Sequence, residues 1–265
     1  NWNVKTASPL RNKRATSRTT NVVQRKPNLG KFPPRIRSLI RTKVSLDSFK
    51  ELVTYSIDNS ARLIGFAALL RSSDETFLKA LPWLKQQAPK IAPKILYGVA
   101  ERLLKVQPEQ APYWWMIGRI RLTYDVMRCT DKTAAAAVGK MNFLFRREVR
   151  RLGITNLKLT TETIESALAF DTANPPHKYS IIETCSGGMR SISTGLDQSQ
   201  KANKSPPKTS GQNVPGHLGR VITVPRPKIA NTSNWIKPAN EHPAILKKVR
   251  DQMRKAIKVR KNRSK

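Results

Sequence analysis

Lys and Arg recur every few residues through the start of this chain, at Arg11, Lys13, Arg14, Arg18, Arg25, Lys26, Lys31, Arg35, Arg37, Arg41 and Lys43, among Ser, Thr, Asn and Pro. Cations spaced this way along an extended segment can follow a phosphate backbone and release its counterions. Binding of that kind is salt-sensitive and nearly blind to base sequence. A second basic group, Arg146, Arg147, Arg150 and Arg151, falls at i, i+4 on one predicted helix, with Glu148 offsetting a single charge. A third lies near the end of the chain. There Lys247, Lys248, Arg250, Arg254, Lys255 and Lys258 oppose an apolar stripe of Ile245, Leu246, Val249, Met253, Ala256 and Ile257, before the closing Arg260, Lys261 and Arg263. An amphipathic basic helix suits a phosphate backbone or an anionic membrane surface, and its plainest use is to dock its apolar face on the rest of the fold.

Other candidate chemistry is sparse. Trp114 and Trp115 are candidates for stacking on unpaired bases, although an apolar helical run around them favours core packing. Neighbouring helix positions point about 100° apart, so at most one of the two is expected to be fully buried. His177, His217 and His242 stand alone, with no Cys, Asp or Glu at ligand spacing, so no metal site is expected. No H-E-x-x-H, dinucleotide-binding, Walker or G-x-S-x-G motif occurs, and Ser186-Gly187-Gly188 reads as a turn. The expectation is a non-enzymatic protein without a cofactor. Cys129 and Cys185 are too few for a disulfide scaffold, and the sequence fits a reducing intracellular compartment.

The whole chain carries 50 Lys and Arg against 17 Asp and Glu, a net charge of +33 over 265 residues. Its distribution divides the chain. Residues 1–44 hold 12 basic and no acidic residues, residues 45–172 hold 19 and 13, and residues 173–265 hold 19 and 4. The flanks therefore carry most of the excess, while the middle has the balance of an ordinary globular surface.

Periodicity places the folded part in that middle. Ser45 is a plausible N-cap for a helix with Leu46, Phe49, Val53 and Ile57 on one face. Leu63 to Leu70 predicts a mostly buried helix, and Ser72-Ser73-Asp74-Glu75 a capping box for the next. Pro93 suits a first helical position, Tyr113 to Met127 is dense in large residues, and Ala134 to Leu152 carries a stripe of Val138, Met141, Phe145, Val149 and Leu152 ending at Gly153. A short helix over Glu162 to Phe170 closes the set.

The fold class expected is all-α: one small domain of about six helices at 45–172, flanked by basic disordered arms. Residues 1–44 form the first arm, residues 173–240 a flexible polar linker, and residues 241–265 a basic amphipathic helix and tail. This layout, though no motif, is similar to that of nucleocapsid-type, chromatin-type and organellar ribosomal proteins. The start at Asn1-Trp2-Asn3, without Met, fits a processed product, a polyprotein fragment or an incomplete record, with a cleaved viral polyprotein the attractive source. The expected partner is nucleic acid, with RNA favoured, through the arms. The helical domain would serve self-association as a homo-oligomer or another partner contact. The rival expectation is an anionic membrane surface met by the C-terminal helix.

Overall fold

A computed structural model describes residues 32–176, 181–186, 188–189, 193–194, 197, 211–215, 221–225 and 235–263. Among these the chain is all-α apart from one small hairpin. The elements in order are α1 (Pro34–Arg41), α2 (Leu46–Asp58), α3 (Arg62–Arg71), α4 (Asp74–Gln87), α5 (Pro93–Val106), α6 (Ala111–Arg128), α7 (Ala136–Arg151), α8 (Thr161–Ala173), the single turn α9 (Ile182–Cys185) and α10 (His242–Arg263). Strands β1 (Gly211–Pro215) and β2 (Val221–Pro225) pair antiparallel, with Gln212 opposite Val224 and Val214 opposite Ile222.

Local signals account for most helix ends. The Ser45 side chain accepts from the Ser48 amide at 3.2 Å, and the Thr160 side chain from the Thr163 amide at 3.2 Å. Each satisfies an amide that the first helical turn would leave without a partner. The cap of α4 is Ser73, which accepts from Thr76 N at 3.1 Å, one residue later than the expected capping box. Pro34, Pro93 and Pro112 occupy first-turn positions, where a missing amide hydrogen costs nothing. At the end of α7, Gly153 has φ of 66°, and Gly153 N and Ile154 N donate to Arg150 O and Val149 O. That double bond is a Schellman stop, and it needs a residue that tolerates a left-handed backbone.

Helix α6 is the centre. It packs against α5, α7, α8 and α10, and 14 of its 18 residues are buried. The expectation that only one of Trp114 and Trp115 is buried fails for this reason: both are buried, at 2% and 6% exposure, because a helix enclosed on several sides has no solvent face to offer.

Three other expectations are corrected. Residues 34–41 belong to the folded domain and not to the disordered arm: Ile36 and Ile40, one turn apart, bury themselves against α2 and α3. Helix α3 is not mostly buried, since Leu63 and Leu70 are 63% and 76% exposed. On helix α7 the stripe is seated less deeply, with Phe145 buried and Val138, Met141, Val149 and Leu152 half-buried. Within the stretch expected to be linker, the structure places α9 and the hairpin, whose β-branched Val221, Ile222, Thr223 and Val224 favour an extended chain.

Cys185 is held in place, not in a flexible segment. It is buried and joined to Cys129 in a disulfide with Cα atoms 5.3 Å apart, a pairing that the sequence does not announce. The same corner is closed by backbone pairing, Thr130 N to Trp235 O at 3.0 Å and Lys237 N to Arg128 O at 2.8 Å. Alkylation of the denatured, unreduced protein is expected to label neither cysteine, and labelling after reduction is expected to reach both.

Arg102 on α5 ties the α3–α4 junction. It donates to Leu69 O at 2.6 Å and Ser72 O at 2.7 Å, forms an ion pair with Asp74 at 2.7 Å, and covers the Phe77 ring. These carbonyls end α3 and have no partner within it. Arg102→Ala is expected to cost about 2–3 kcal/mol in urea unfolding, the scale of lost hydrogen bonds to a charged group.

Candidate nucleic-acid interface

Helix α7 presents its arginines outward because its inner side is pinned. Phe145 stacks on Trp115 with ring centroids 5.4 Å apart, Arg119 covers the Trp115 ring, and Tyr97 on α5 donates to Asn142 at 3.2 Å. With that side fixed, Arg146, Arg147, Arg150 and Arg151 are all exposed, as the i, i+4 spacing requires. Arg151 is bound by Glu148 through two bonds of 2.8 and 2.6 Å, which hold the Glu148 carboxyl below its usual range. Glu101, across on α5, is pushed the other way, by burial and by Glu148, against the pull of Arg147 and Lys105. The ridge therefore keeps an excess of positive charge at neutral pH.

Helix α10 docks on α6 and α8 through Ile245, Val249 and Ile257. Leu246 and Met253 are partly buried beside them. Its opposite side carries exposed Lys247, Lys248, Arg254, Lys255, Lys258 and Lys261. At 1.5 Å per residue, Lys247 to Lys261 spans about 21 Å, room for several successive phosphates. Asp251 sits inside this row and bonds Lys247 at 3.0 Å and Arg254 at 2.8 Å, which hold its carboxyl below its usual range. Lys261 reaches Glu165 on α8 at 2.7 Å.

The other expected contacts are scattered. Arg11, Lys13, Arg14, Arg18, Arg25, Lys26 and Lys31 lie outside the described residues, as do the side chains of Arg260 and Arg263. Arg35 is exposed and bonded to Glu51 at 2.6 Å, Arg37 is half-buried, and Arg41 and Lys43 are exposed. Trp114 and Trp115 are buried packing residues, not platforms that a base can reach. Arg250 turns inward: it donates to the Asp171 carboxylate at 3.0 Å and to Asp171 O at 2.6 Å.

That inward turn belongs to a buried ionic cluster that the sequence reading missed. Arg121 and Asp171 are fully buried and paired at 3.2 Å. Arg121 also donates to Asn174 O at 2.8 Å and to Ala88 O at the end of α4. One turn along α6, Asp125 pairs with Arg128 at 2.6 Å, and Arg128 lies 4.3 Å from the Tyr124 ring centre. The cluster fastens α10 to α6 and α8 and so fixes the direction of the basic face. Its signal was the charged spacing Arg121, Asp125, Arg128 at i, i+4, i+7 inside a helix dense in large apolar residues.

Among the described residues no group of three His, Cys, Asp or Glu is placed to hold a metal ion, and no helix is long and apolar enough to cross a membrane. The chain matches no family model, no curated protein and no solved structure.

Proposed function

We propose that this protein is a non-enzymatic nucleic-acid-binding protein, nucleocapsid-like or a ribonucleoprotein component, with RNA as the favoured ligand. The observation that carries the reading is the separation of charge in a +33 chain: flanks rich in Lys and Arg, and an α10 whose cations face solvent while its apolar stripe is packed on α6 and α8. Phosphates would be neutralised by the N-terminal arm, the α7 arginines and the α10 lysines, with the helical domain providing self-association. RNA is preferred to duplex DNA because no helix-turn-helix, zinc-finger or leucine-zipper pattern is present to enter a major groove.

The packing of α10 also favours phosphate over an anionic membrane surface. Membrane binding by an amphipathic helix needs its apolar face free to enter the headgroup region, and here Ile245, Val249 and Ile257 are buried. Fluorescence anisotropy with labelled single-stranded RNA and duplex DNA, run beside flotation on anionic vesicles, tests the reading. The expected result is RNA binding at least as tight as DNA binding, and vesicle binding abolished by nuclease or salt. Vesicle binding that survives both treatments, with no RNA binding, would overturn it.

A further inference from the structure

Helix α3 has two apolar faces, and the fold buries one of them fully. Ile64, Gly65, Ala68 and Leu69 are buried, while Leu63, Phe66, Ala67 and Leu70 form a second stripe at i, i+3, i+4 and i+7 on the outer side. Leu63 and Leu70 are among the most exposed large apolar residues described, at 63% and 76%. Phe66 is half-buried, its ring lying against Gly98 of α5, where an added Cβ would come within 2.8 Å. Phe66 thus anchors the stripe while Leu63 and Leu70 stand exposed on either side of it, and large apolar side chains grouped in this way mark a contact surface.

Its symmetry and its electrostatic setting both point to the occupant. Read in either direction the stripe is Leu, a Phe/Ala pair, Leu. An antiparallel copy places Leu63 opposite Leu70 and bulky Phe66 opposite small Ala67, the self-complementarity that a two-fold interface requires. A chain of +33 repels its own copies over most of its surface. Residues 46–87, spanning α2 to α4, carry five acidic and five basic residues and no net charge. The stretch that displays the apolar stripe is therefore free of the positive excess that the flanks carry. We infer that the outer face of α3 is the interface through which two copies of this chain associate, antiparallel about Leu63, Phe66, Ala67 and Leu70. This assigns a surface to the self-association in the proposed function and does not depend on the nucleic-acid ligand.

Four side chains per copy give less than the roughly 800 Å² per partner of a standard interface, so the dimer is weak, with a dissociation constant on the order of ten micromolar. Sedimentation equilibrium of the full chain, freed of nucleic acid and held at high salt, reads this directly. The mass is expected to rise from the 29.9 kDa of one chain toward twice that value over about 1 to 100 µM. Leu63→Glu and Leu70→Glu, each at an exposed position and each expected to melt as the wild type does, should remain monomeric across that range. Phe143→Glu, at an exposed apolar residue of α7, should dimerise normally. A wild-type mass independent of concentration, a dimer unchanged in both leucine variants, or an equal loss in Phe143→Glu would overturn the assignment. Because nucleic acid is absent throughout, failure here leaves the binding proposal to its own test.

Discussion

Asp171→Ala is expected to destabilise the protein by about 3–5 kcal/mol, the range for breaking a buried pair by removing one partner. Asp171 is fully buried and is shared by Arg121 and Arg250 through separate carboxylate oxygens. Removing it leaves the Arg121 guanidinium buried with only the Ala88 and Asn174 carbonyls as hydrogen-bond partners, and leaves Arg250 tied to α8 through the backbone carbonyl of position 171 alone. Arg250→Met should cost less, because that side chain is partly exposed and can keep its packing without its charge. Urea unfolding followed by circular dichroism checks both values. Equal, small losses in the two variants would mean that the cluster does not fasten α10 to the domain.

The second large effect concerns affinity. Replacing Lys247, Lys248, Lys255 and Lys258 together by Gln removes four exposed cations from one face of α10. If each meets a phosphate of a single strand, the slope of log affinity against log salt should fall by about 3, at roughly 0.7 per contact, and affinity at low salt should drop on the order of 100-fold. The melting temperature should hold or rise, because these side chains face solvent in a molecule that already repels itself. Asp251→Asn is the complementary change. It releases Lys247 and Arg254 from their internal partner and should strengthen binding. Anisotropy titrations across a salt series measure both. A fourfold variant with an unaltered slope would remove α10 from the interface.

What could be read from the sequence was what depends on near neighbours. Ser45 at a helix start, Pro93 at a first turn and Gly153 at a left-handed stop act through bonds within a few residues. The α7 arginines were equally legible, since helical spacing alone puts Arg146 beside Arg150 and Arg147 beside Arg151.

Long-range arrangements were not visible. Ile36 and Ile40 are too few to mark a helix until α2 and α3 cover them. The pairing of Cys129 with Cys185 joins positions 56 residues apart, and no local pattern announces it. Periodicity also says that a helix has apolar faces without saying how many neighbours it finds. That is why α3 was expected to be mostly buried and yet leaves Leu63 and Leu70 exposed, and why two adjacent tryptophans on α6 could both be enclosed. Arg250 shows the same limit: it lies at the border of the basic face, and only Asp171 on α8 decides that it turns inward.

The most direct test of the central claim is the salt dependence of RNA affinity for the intact chain, measured by filter binding from about 50 to 200 mM monovalent salt. Cationic flanks working through phosphates predict a steep linear fall of log affinity with log salt, with a slope of magnitude about 4 or more for six or more contacts on a single strand. A slope near zero, or no retention of RNA at the lowest salt, would contradict it.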